Sequence, residues 1–160
     1  MAKLLNFKNI TFKNIAFFSA MFFVLDRFFK MLALGRESLG ALEIFGNILS
    51  FNLAKNYFIS FSLPISGGLL TLLLVISFFI IFYYFFLFLK KGKKYFNRAY
   101  ALIFLLTGAF SNLFDRIFYG YVIDYLDFLN INVFNIADLM IIVSAIIFLS
   151  LELLPRKKNN

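Results

Sequence analysis

Four long apolar segments constrain the fold of this chain more than any other feature of its sequence. They cover approximately residues 14–34, 68–89, 99–118 and 135–154. A transmembrane α-helix needs about 20 apolar residues to cross the hydrocarbon core of a bilayer. Only 15% of the 160 residues are charged, whereas soluble domains contain about 25%. The sequence therefore predicts an all-α polytopic membrane protein with four transmembrane helices, folded as a single membrane domain over residues 1–160.

The basic residues predict the orientation of these helices. Most of the 16 Lys and Arg residues lie in three segments without acidic residues: the N-terminal arm, the loop KKGKKYFNR at 90–98 and the C-terminal tail. Lys and Arg are enriched in the cytoplasmic loops of membrane proteins. All three segments, and hence both termini, are expected in the cytoplasm. The net charge of +8 is then explained by the attraction of these basic segments to anionic membrane lipids. Nucleic acid is not expected as a partner.

Two segments, 35–67 and 119–134, are extracytoplasmic in this topology. The stretch ILSFNLAKNYFISFSLP, residues 48–64, alternates between apolar and more polar residues. Such alternation is typical of half-buried strands. We therefore expect a small sheet of two or three strands on the outer membrane surface, and a short interfacial helix within residues 36–46.

The residue types that are missing limit the possible chemistry. The chain contains no Cys and no His. A Ser-His or Cys-His nucleophile is therefore excluded, and so is an H-E-x-x-H zinc site. Acid–base chemistry must come from Asp, Glu, Lys or Tyr. Four of the eight acidic residues fall within residues 115–138, surrounded by apolar sequence.

Within that segment, Asp124 and Asp138 are the strongest candidates for chemistry. Asp124 lies in an apolar run just after the third span, and Asp138 lies in the first turn of the fourth. A helix cap formed with Asn135 would explain Asp138 but not Asp124. The intervening loop returns the chain to the membrane, so the two carboxylates can meet at its outer edge. A close carboxylate pair shares one proton and supplies an acid and a base, although intramembrane carboxylates also serve ion pathways.

Polar residues on the first and third spans suggest supporting roles. Asp26 and Lys30 share a helix face and predict an ion pair, with Lys30 extending to water. The first span is expected to remain as a helix, because cleaved signal peptides have apolar regions of only about 7–15 residues. Gly108, Asn112 and Arg116 form one stripe on the third span. Gly permits close helix packing and Asn bridges helices, while the Arg fork suits a carboxylate or a backbone carbonyl.

These motifs resemble those of the lipoprotein signal peptidases, the type II signal peptidases of bacteria, over almost the whole chain. DRFFK at 26–30 is similar to the family's D-x-x-x-K, and FNIAD at 134–138 to its F-N-x-A-D. TGAFSNLFDRIFYGYVIDY at 107–125 resembles G-G-A-x-G-N-x-x-D-R-x-x-x-G-x-V-x-D-F. The family's N-x-G-A-A-F appears as NYFISF at 56–61, without its Gly and both Ala. Ser111 replaces the family's Gly before the Asn.

The resemblance implies a membrane aspartyl endopeptidase that cleaves the signal peptide of a diacylglyceryl-modified prolipoprotein just before the lipidated cysteine. It implies that Asp124 and Asp138 are the catalytic dyad. The residues implied to position substrate or shape the site are Asn56, Asn112, Arg116 and Asn135. The residues expected to support the fold are Asp26, Lys30, Gly108 and Asp115, which lies on a different helix face and is expected to pair with another element. Asp127 is expected to be a solvated loop residue.

The resemblance also implies how the enzyme works in the cell. Neither a metal nor a cofactor is expected. The partners are the lipid-modified prolipoprotein and membrane lipids, and the enzyme is expected to act as a monomer. It is expected in the bacterial cytoplasmic (inner) membrane, with the active site near the outer leaflet.

Two other functions are compatible with some of these residues. A small transporter or ion-conducting subunit would also use intramembrane carboxylates, but its site usually lies near the bilayer midplane between repeated halves. A Ser-Lys peptidase would use Lys30 as its base, and it requires a serine within hydrogen-bond reach.

Overall fold

The computed structural model describes residues 11–59 and 63–153. Most of these residues belong to four α-helices. The helices are Phe12–Gly35 (α1), Gly67–Lys90 (α2), Phe96–Tyr119 (α3) and Ile136–Leu153 (α4). The four apolar segments agree with these helices to within a few residues at each end. Most of the N-terminal arm, residues 60–62 of the predicted strand region and the tail from residue 154 lie outside the described residues.

Within the described part of the chain, α2, α3 and α4 are long and apolar enough to cross a membrane. The first helix is as long as α2 and α3, but it does not belong to this set. The charged residues of α1 are Lys13, Asp26, Arg27 and Lys30. Its apolar length alone therefore does not establish a fourth span.

The strands form a larger sheet than expected. They are Leu42–Phe45 (β1), Leu49–Asn56 (β2), Phe58–Ile59 (β3), Leu63–Ser66 (β4), Val122–Phe128 (β5) and Asn132–Phe134 (β6). An antiparallel four-stranded sheet has the order β1-β2-β5-β6, and β3 pairs with β4. The prediction of two or three strands was therefore too small, because the segment after α3 also contributes strands.

The interfacial helix predicted within residues 36–46 is wrong. Only Glu37–Leu39 form one 3-10 turn, and β1 follows it. Gly40 and Gly46 have φ angles of +73° and +49°, a backbone conformation that a right-handed helix does not use. Residues 42–45 pair with β2 instead.

Strand β5, which carries Asp124, pairs with β2 and lies next to α1 and α3. Ala54 lies opposite Asp124, and Asn56 lies opposite Val122. The third helix ends at Tyr119, and the left-handed φ of +80° at Gly120 turns the chain into β5. The sheet therefore lies where α1 and α3 end and where α2 and α4 begin.

Aromatic packing fixes this sheet against α1. Ala33, Phe51, Ile123 and Tyr125 form a buried cluster. The ring centroids of Phe51 and Tyr125 are 5.6 Å apart, within the range of favourable aromatic pairs. A second cluster joins α2 and α3 near their connecting loop. The first cluster thus packs the sheet on the C-terminal end of α1.

Close approach of α3 and α4 depends on Gly108. A Cβ atom at this position would lie 2.6 Å from the backbone oxygen of Ala137, which is too short for any side chain. The close approach of backbones that Gly108 was expected to permit is present at this position. The contact brings the first turn of α4 against the middle of α3.

Candidate active site

Asp124 is held by two asparagine side chains from separate elements. Its Oδ2 accepts a hydrogen bond of 3.0 Å from Nδ2 of Asn56, at the end of β2. Its Oδ1 accepts one of 2.6 Å from Nδ2 of Asn135, just before α4. The residue is 1% exposed. Its carboxyl group therefore has a fixed orientation and little contact with water.

Asp138 lies in the first turn of α4 and is only partly buried. Its Oδ1 accepts a hydrogen bond of 2.7 Å from Nδ2 of Asn112 on α3. Its Oδ2 accepts the backbone N–H of Asn135 at 3.2 Å, and Asn135 Oδ1 accepts the backbone N–H of Asp138 at 2.8 Å. This reciprocal arrangement is a helix cap, as the sequence suggested. The cap leaves the second oxygen of Asp138 directed at Asn112.

One chain of hydrogen bonds connects the two carboxyl groups. Nδ2 of Asn135, which donates to Asp124, also lies 3.2 Å from Oδ1 of Asn112. Asn112 in turn donates to Asp138. The structure thus brings the two acids together with three of the four residues that the resemblance assigns to the substrate site. These three are Asn56, Asn112 and Asn135.

The environment of Asp124 favours its protonated form. Burial, followed by the nearby charge of Asp138, raises the pKa of Asp124 from 3.8 to about 7. Hydrogen bonds from Asn56 and Asn135, and the charge of Lys30, act in the opposite direction. At neutral pH the pair can therefore hold one proton, which provides one acid and one carboxylate linked through Asn135 and Asn112.

Lys30 lies beneath this pair in a network of oxygen atoms. Its Nζ is 3.0 Å from Oδ2 of Asp26, 2.7 Å from Oδ2 of Asp115 and 2.8 Å from Oδ1 of Asn112. The predicted ion pair with Asp26 is confirmed, but the extension of Lys30 to water is wrong. The side chain is 0% exposed, because acceptors from α3 replace the water that it would otherwise seek.

Asp115 connects three elements through this network. It pairs with Lys30 and Arg27 of α1 and accepts the backbone N–H of Ile123 in β5 at 3.3 Å. The guanidinium of Arg27 also lies 4.7 Å from the ring centroid of Phe114. The expected pairing of Asp115 with another element is therefore confirmed. It supports the position of β5, which carries Asp124.

Two hydroxyl groups that sequence reasoning did not assign bind Asp26. Ser111 Oγ donates to Asp26 Oδ2 at 2.6 Å, and Tyr125 Oη donates to Asp26 Oδ1 at 3.0 Å. Burial raises the pKa of Tyr125 above its ordinary value, so this hydroxyl stays protonated. The sequence did carry a signal for these contacts, because Ser111 and Tyr125 stand where the family pattern has Gly and Phe.

The guanidinium group of Arg116 donates hydrogen bonds to backbone carbonyl oxygens of the same chain. Its Nη2 donates to the carbonyl oxygen of Phe58 at 2.7 Å, and its Nη1 to that of Tyr57 at 3.4 Å. These carbonyls directly follow Asn56, which contacts Asp124. The guanidinium therefore holds the end of β2 in the position that Asn56 requires.

Asp127 is not the solvated loop residue that the sequence suggested. It lies within β5 opposite Ser50 and Val133 and is 7% exposed. Its Oδ1 has no hydrogen-bond partner among the described residues. Two strands cover it where a loop was expected, and nothing in the structure explains the unpaired oxygen.

The charges around the site balance when one proton is bound. The network contains three cations and four acids. They are Arg27, Lys30 and Arg116, and Asp26, Asp115, Asp124 and Asp138. One proton shared by the Asp124–Asp138 pair makes the sum zero, which suits a site largely removed from water. Among the described residues, no cluster of three or more His, Cys, Asp or Glu is suited to a metal ion.

Comparisons with known proteins point to one family. Residues 18–154 match the family described as signal peptidase (SPase) II. The lipoprotein signal peptidase of Clostridium novyi (strain NT) is 33% identical over 129 residues, covering 77% of this chain and 86% of that protein. The lipoprotein signal peptidase of Citrobacter koseri is 33% identical over 143 residues, covering 84% of this chain and 87% of that protein.

A solved structure shares the fold. It is a bacterial membrane enzyme determined by the in meso method at 2.3 Å resolution, with a TM-score of 0.78. The two chains are 22% identical, and the similarity covers 93% of this chain and 94% of the other. At this identity the similarity concerns the arrangement of helices and strands.

Proposed function

The chain belongs to the signal peptidase II family, and from this premise we propose that Asp124 and Asp138 are the catalytic dyad with which it removes the signal peptides of prolipoproteins. The enzyme is an aspartic-type endopeptidase and a bacterial membrane protein. The observation that carries the proposal is the hydrogen-bonded path from Asp124 through Asn135 and Asn112 to Asp138. Because the chain belongs to this family, a transporter and a Ser-Lys peptidase are no longer candidate functions.

The two acids have different environments, and we assign them different roles. Asp138 accepts hydrogen bonds from the side chain of Asn112 and the backbone N–H of Asn135, and it is more exposed than Asp124. It is the general base that takes a proton from the attacking water. Asp124 is buried and holds a proton near neutral pH. It is the acid that donates this proton to the oxygen of the scissile carbonyl.

The reaction needs no group beyond this pair. The water oxygen forms a bond with the carbonyl carbon while its proton moves to Asp138 and the proton of Asp124 moves to the carbonyl oxygen. The carbon–nitrogen bond then breaks, and the leaving amine takes the proton from Asp138. Asp124 regains a proton as the new carboxylic acid forms. The dyad thus returns to its single-proton state.

The neighbouring polar residues position this pair. Asn56 and Asn135 hold Asp124, and Asn112 holds Asp138. Arg116 fixes the backbone after Asn56. It therefore acts on the substrate indirectly, through the position of this backbone at the edge of the site. All of these groups belong to one chain.

We also propose that α1 is the fourth transmembrane helix. Its residues Asp26 and Lys30 are fully buried in the network, so they do not face lipid. At about 1.5 Å per residue, its 24 residues extend for roughly 36 Å, enough to cross a bilayer core of about 30 Å. Its exposed face is apolar. Large exposed side chains on it are Phe17, Phe18, Val24, Phe28 and Met31.

We propose the orientation in the membrane from the basic loop between α2 and α3. We place this loop and both termini in the cytoplasm, and the sheet with the dyad at the outer leaflet. The chain has no Cys, so single cysteines can report accessibility. Ile131→Cys, at an 80% exposed position after β5, should react with an impermeant thiol reagent added from outside, whereas Lys93→Cys should not. The reverse labelling pattern would contradict this orientation.

A direct assay tests the proposed substrate. Purified enzyme in detergent is mixed with a prolipoprotein that carries a diacylglyceryl-modified cysteine, and the product masses are measured. We expect one cut, immediately before the modified cysteine. A matched prolipoprotein without the lipid should remain intact. Equal cleavage of both forms, or a cut elsewhere, would contradict the proposed substrate class.

A further inference from the structure

A cavity separate from the dyad opens between the end of α1 and strand β2. Its volume is about 360 Å³. Arg36 and Glu37 after α1 form one side, and Asn52 and Lys55 of β2 form the other. None of these four side chains contacts Asp124 or Asp138 in the described structure. The volume is in the range of small-ligand sites, which hold roughly 300–1,000 Å³.

Arg36 is unusual among the arginines that the structure describes. Arg27, Arg98 and Arg116 each donate to a carboxylate or a backbone carbonyl. The guanidinium of Arg36 donates to no described residue, although its Nε is buried. A buried donor without an acceptor is costly. The geometry therefore indicates an acceptor that comes from outside this part of the chain.

The charge of the cavity favours an acceptor with one negative charge. Lys55 Nζ lies 2.6 Å from Glu37 Oε1, so these two charges satisfy each other. Arg36 adds one uncompensated positive charge, and the amide of Asn52 adds neutral donors. A guanidinium fork binds phosphate oxygens with two parallel hydrogen bonds. A phosphodiester, with a single negative charge, matches both the charge and the donor geometry.

The surroundings indicate that this phosphodiester belongs to a lipid. The cavity directly follows the end of α1 and thus lies at the level where a membrane helix meets the headgroups. Leu39 precedes the cavity residue Gly40, and Leu42 and Phe45 lie in β1, which pairs with β2. They are 65%, 50% and 68% exposed, and we call these three side chains the apolar ledge. Exposed apolar residues on a membrane protein at this level suit the boundary between headgroups and acyl chains.

We propose that this cavity binds the phosphodiester of a glycerophospholipid headgroup, with Arg36 as the phosphate ligand and the apolar ledge against the acyl chains. The proposal depends on the membrane placement of the helices and not on the peptidase activity. A bound lipid would fasten β2 to the membrane surface. Because β2 ends at Asn56, the same contact would also hold Asn56, which donates a hydrogen bond to Asp124, in place.

Lipid binding can be measured without any assay of cleavage. The protein is purified in detergent free of phospholipid and titrated with phosphatidylglycerol. Retained lipid is counted by native mass spectrometry, and the melting temperature is followed. The wild type should retain one phosphatidylglycerol and melt at a higher temperature as lipid is added. In Arg36→Gln, the affinity should fall about tenfold or more, as expected for the loss of charge-assisted hydrogen bonds.

Two further variants make the result specific. Lys93→Gln removes the same charge from an exposed position in the α2–α3 loop and should bind lipid like the wild type. Asn52→Asp keeps the shape of the side chain but places a carboxylate in the cavity, so it should also weaken binding. It serves as the test if Arg36→Gln does not fold.

Three outcomes would overturn the proposal. Folded Arg36→Gln or Asn52→Asp that binds phosphatidylglycerol like the wild type would show that the cavity is not the site. Equal stabilisation by diacylglycerol would show that acyl chains alone are bound. Displacement of the lipid by inorganic phosphate at millimolar concentration, with the same stabilisation, would assign the cavity to free phosphate.

Discussion

The side-chain amide of Asn135 lies 2.6 Å from Oδ1 of Asp124. Asn135 also caps α4, and its backbone N–H donates to Oδ2 of Asp138. A single residue therefore sets the position of both acids, one through its side chain and the other through its main chain. The local rule that starts a helix also builds the candidate dyad.

Replacement of Asn135 should consequently damage both activity and stability. In Asn135→Ala, Asp124 loses its shortest hydrogen bond and α4 loses its cap. We expect kcat/KM to fall on the order of 10²-fold, the range for misplaced acid–base groups. Loss of the cap should lower stability by about 1 kcal/mol. Peptidase kinetics and thermal unfolding in detergent measure the two effects.

Asn132→Ala is the matched control for this change. Asn132 lies in β6, three residues earlier, and is exposed. It should keep wild-type kinetics and a wild-type melting temperature. An Asn135→Ala enzyme with undiminished kcat/KM would show that Asp124 does not depend on this amide.

The raised pKa of Asp124 predicts a falling rate above neutral pH. The acid role requires a proton on Asp124, and its pKa is about 7. Activity should therefore decrease as the pH rises through about 7. In Asn56→Ala, one hydrogen bond that favours the carboxylate is removed, so the pKa of Asp124 should rise and the decrease should move to higher pH. A shift to lower pH would contradict the role of Asn56.

The same proton links pH to stability. In the unfolded chain Asp124 has its ordinary pKa of 3.8, and in the folded protein its pKa is about 7. The folded state therefore binds this proton more tightly. The resulting stabilisation is complete below a pH of about 3.8 and is lost as the pH rises through about 7. The Asp124→Asn variant should lack this part of the pH dependence when melting temperatures are compared across that window.

The two hydroxyl groups on Asp26 should contribute to stability and not to chemistry. Ser111→Gly and Tyr125→Phe each remove one donor, and each restores the residue of the resembling family pattern. Each should lower stability by about 1 kcal/mol, the typical value for one hydrogen bond. Because both donate to Asp26, their effects should not be additive. Thermal unfolding of the single and double variants measures this coupling.

Activity separates this role from a catalytic one. Both single variants should retain kcat/KM within a few-fold of the wild type. Loss of turnover in folded Tyr125→Phe, with an altered pH profile, would instead place the phenol in the proton path.

The sequence predicted those parts of the fold that depend on local pattern. Bilayer-length apolar runs gave four helices, and alternation around Phe51 gave β2. Residues 122–125 of β5 are buried in succession, so they show no alternation, and an apolar run of this kind cannot be assigned to a strand by its period. That is why β5 was missed, and with it β6, which pairs with β5.

The site residues divide in the same way. The resemblance indicated Asp124 and Asp138, and the geometry adds the asparagine bridge between them. The burial of Lys30 was not predictable, because it depends on Asp115 and Ser111, more than 80 residues away in the chain. Asp127 was expected to be a solvated loop residue, but it is buried within β5. Its burial depends on strand pairing that the sequence did not reveal.

The dyad itself is tested most directly by the masses of the products formed from a diacylated prolipoprotein in detergent. Asn has the shape of Asp but cannot accept the proton of water or act as the acid. Asp124→Asn and Asp138→Asn should each abolish cleavage, and the double variant should be little worse than either, because the two acids act as a unit. Glu43→Gln, an exposed acid of β1, is the control and should cleave normally, with and without a metal chelator. Turnover in folded Asp124→Asn or Asp138→Asn would contradict the aspartyl mechanism.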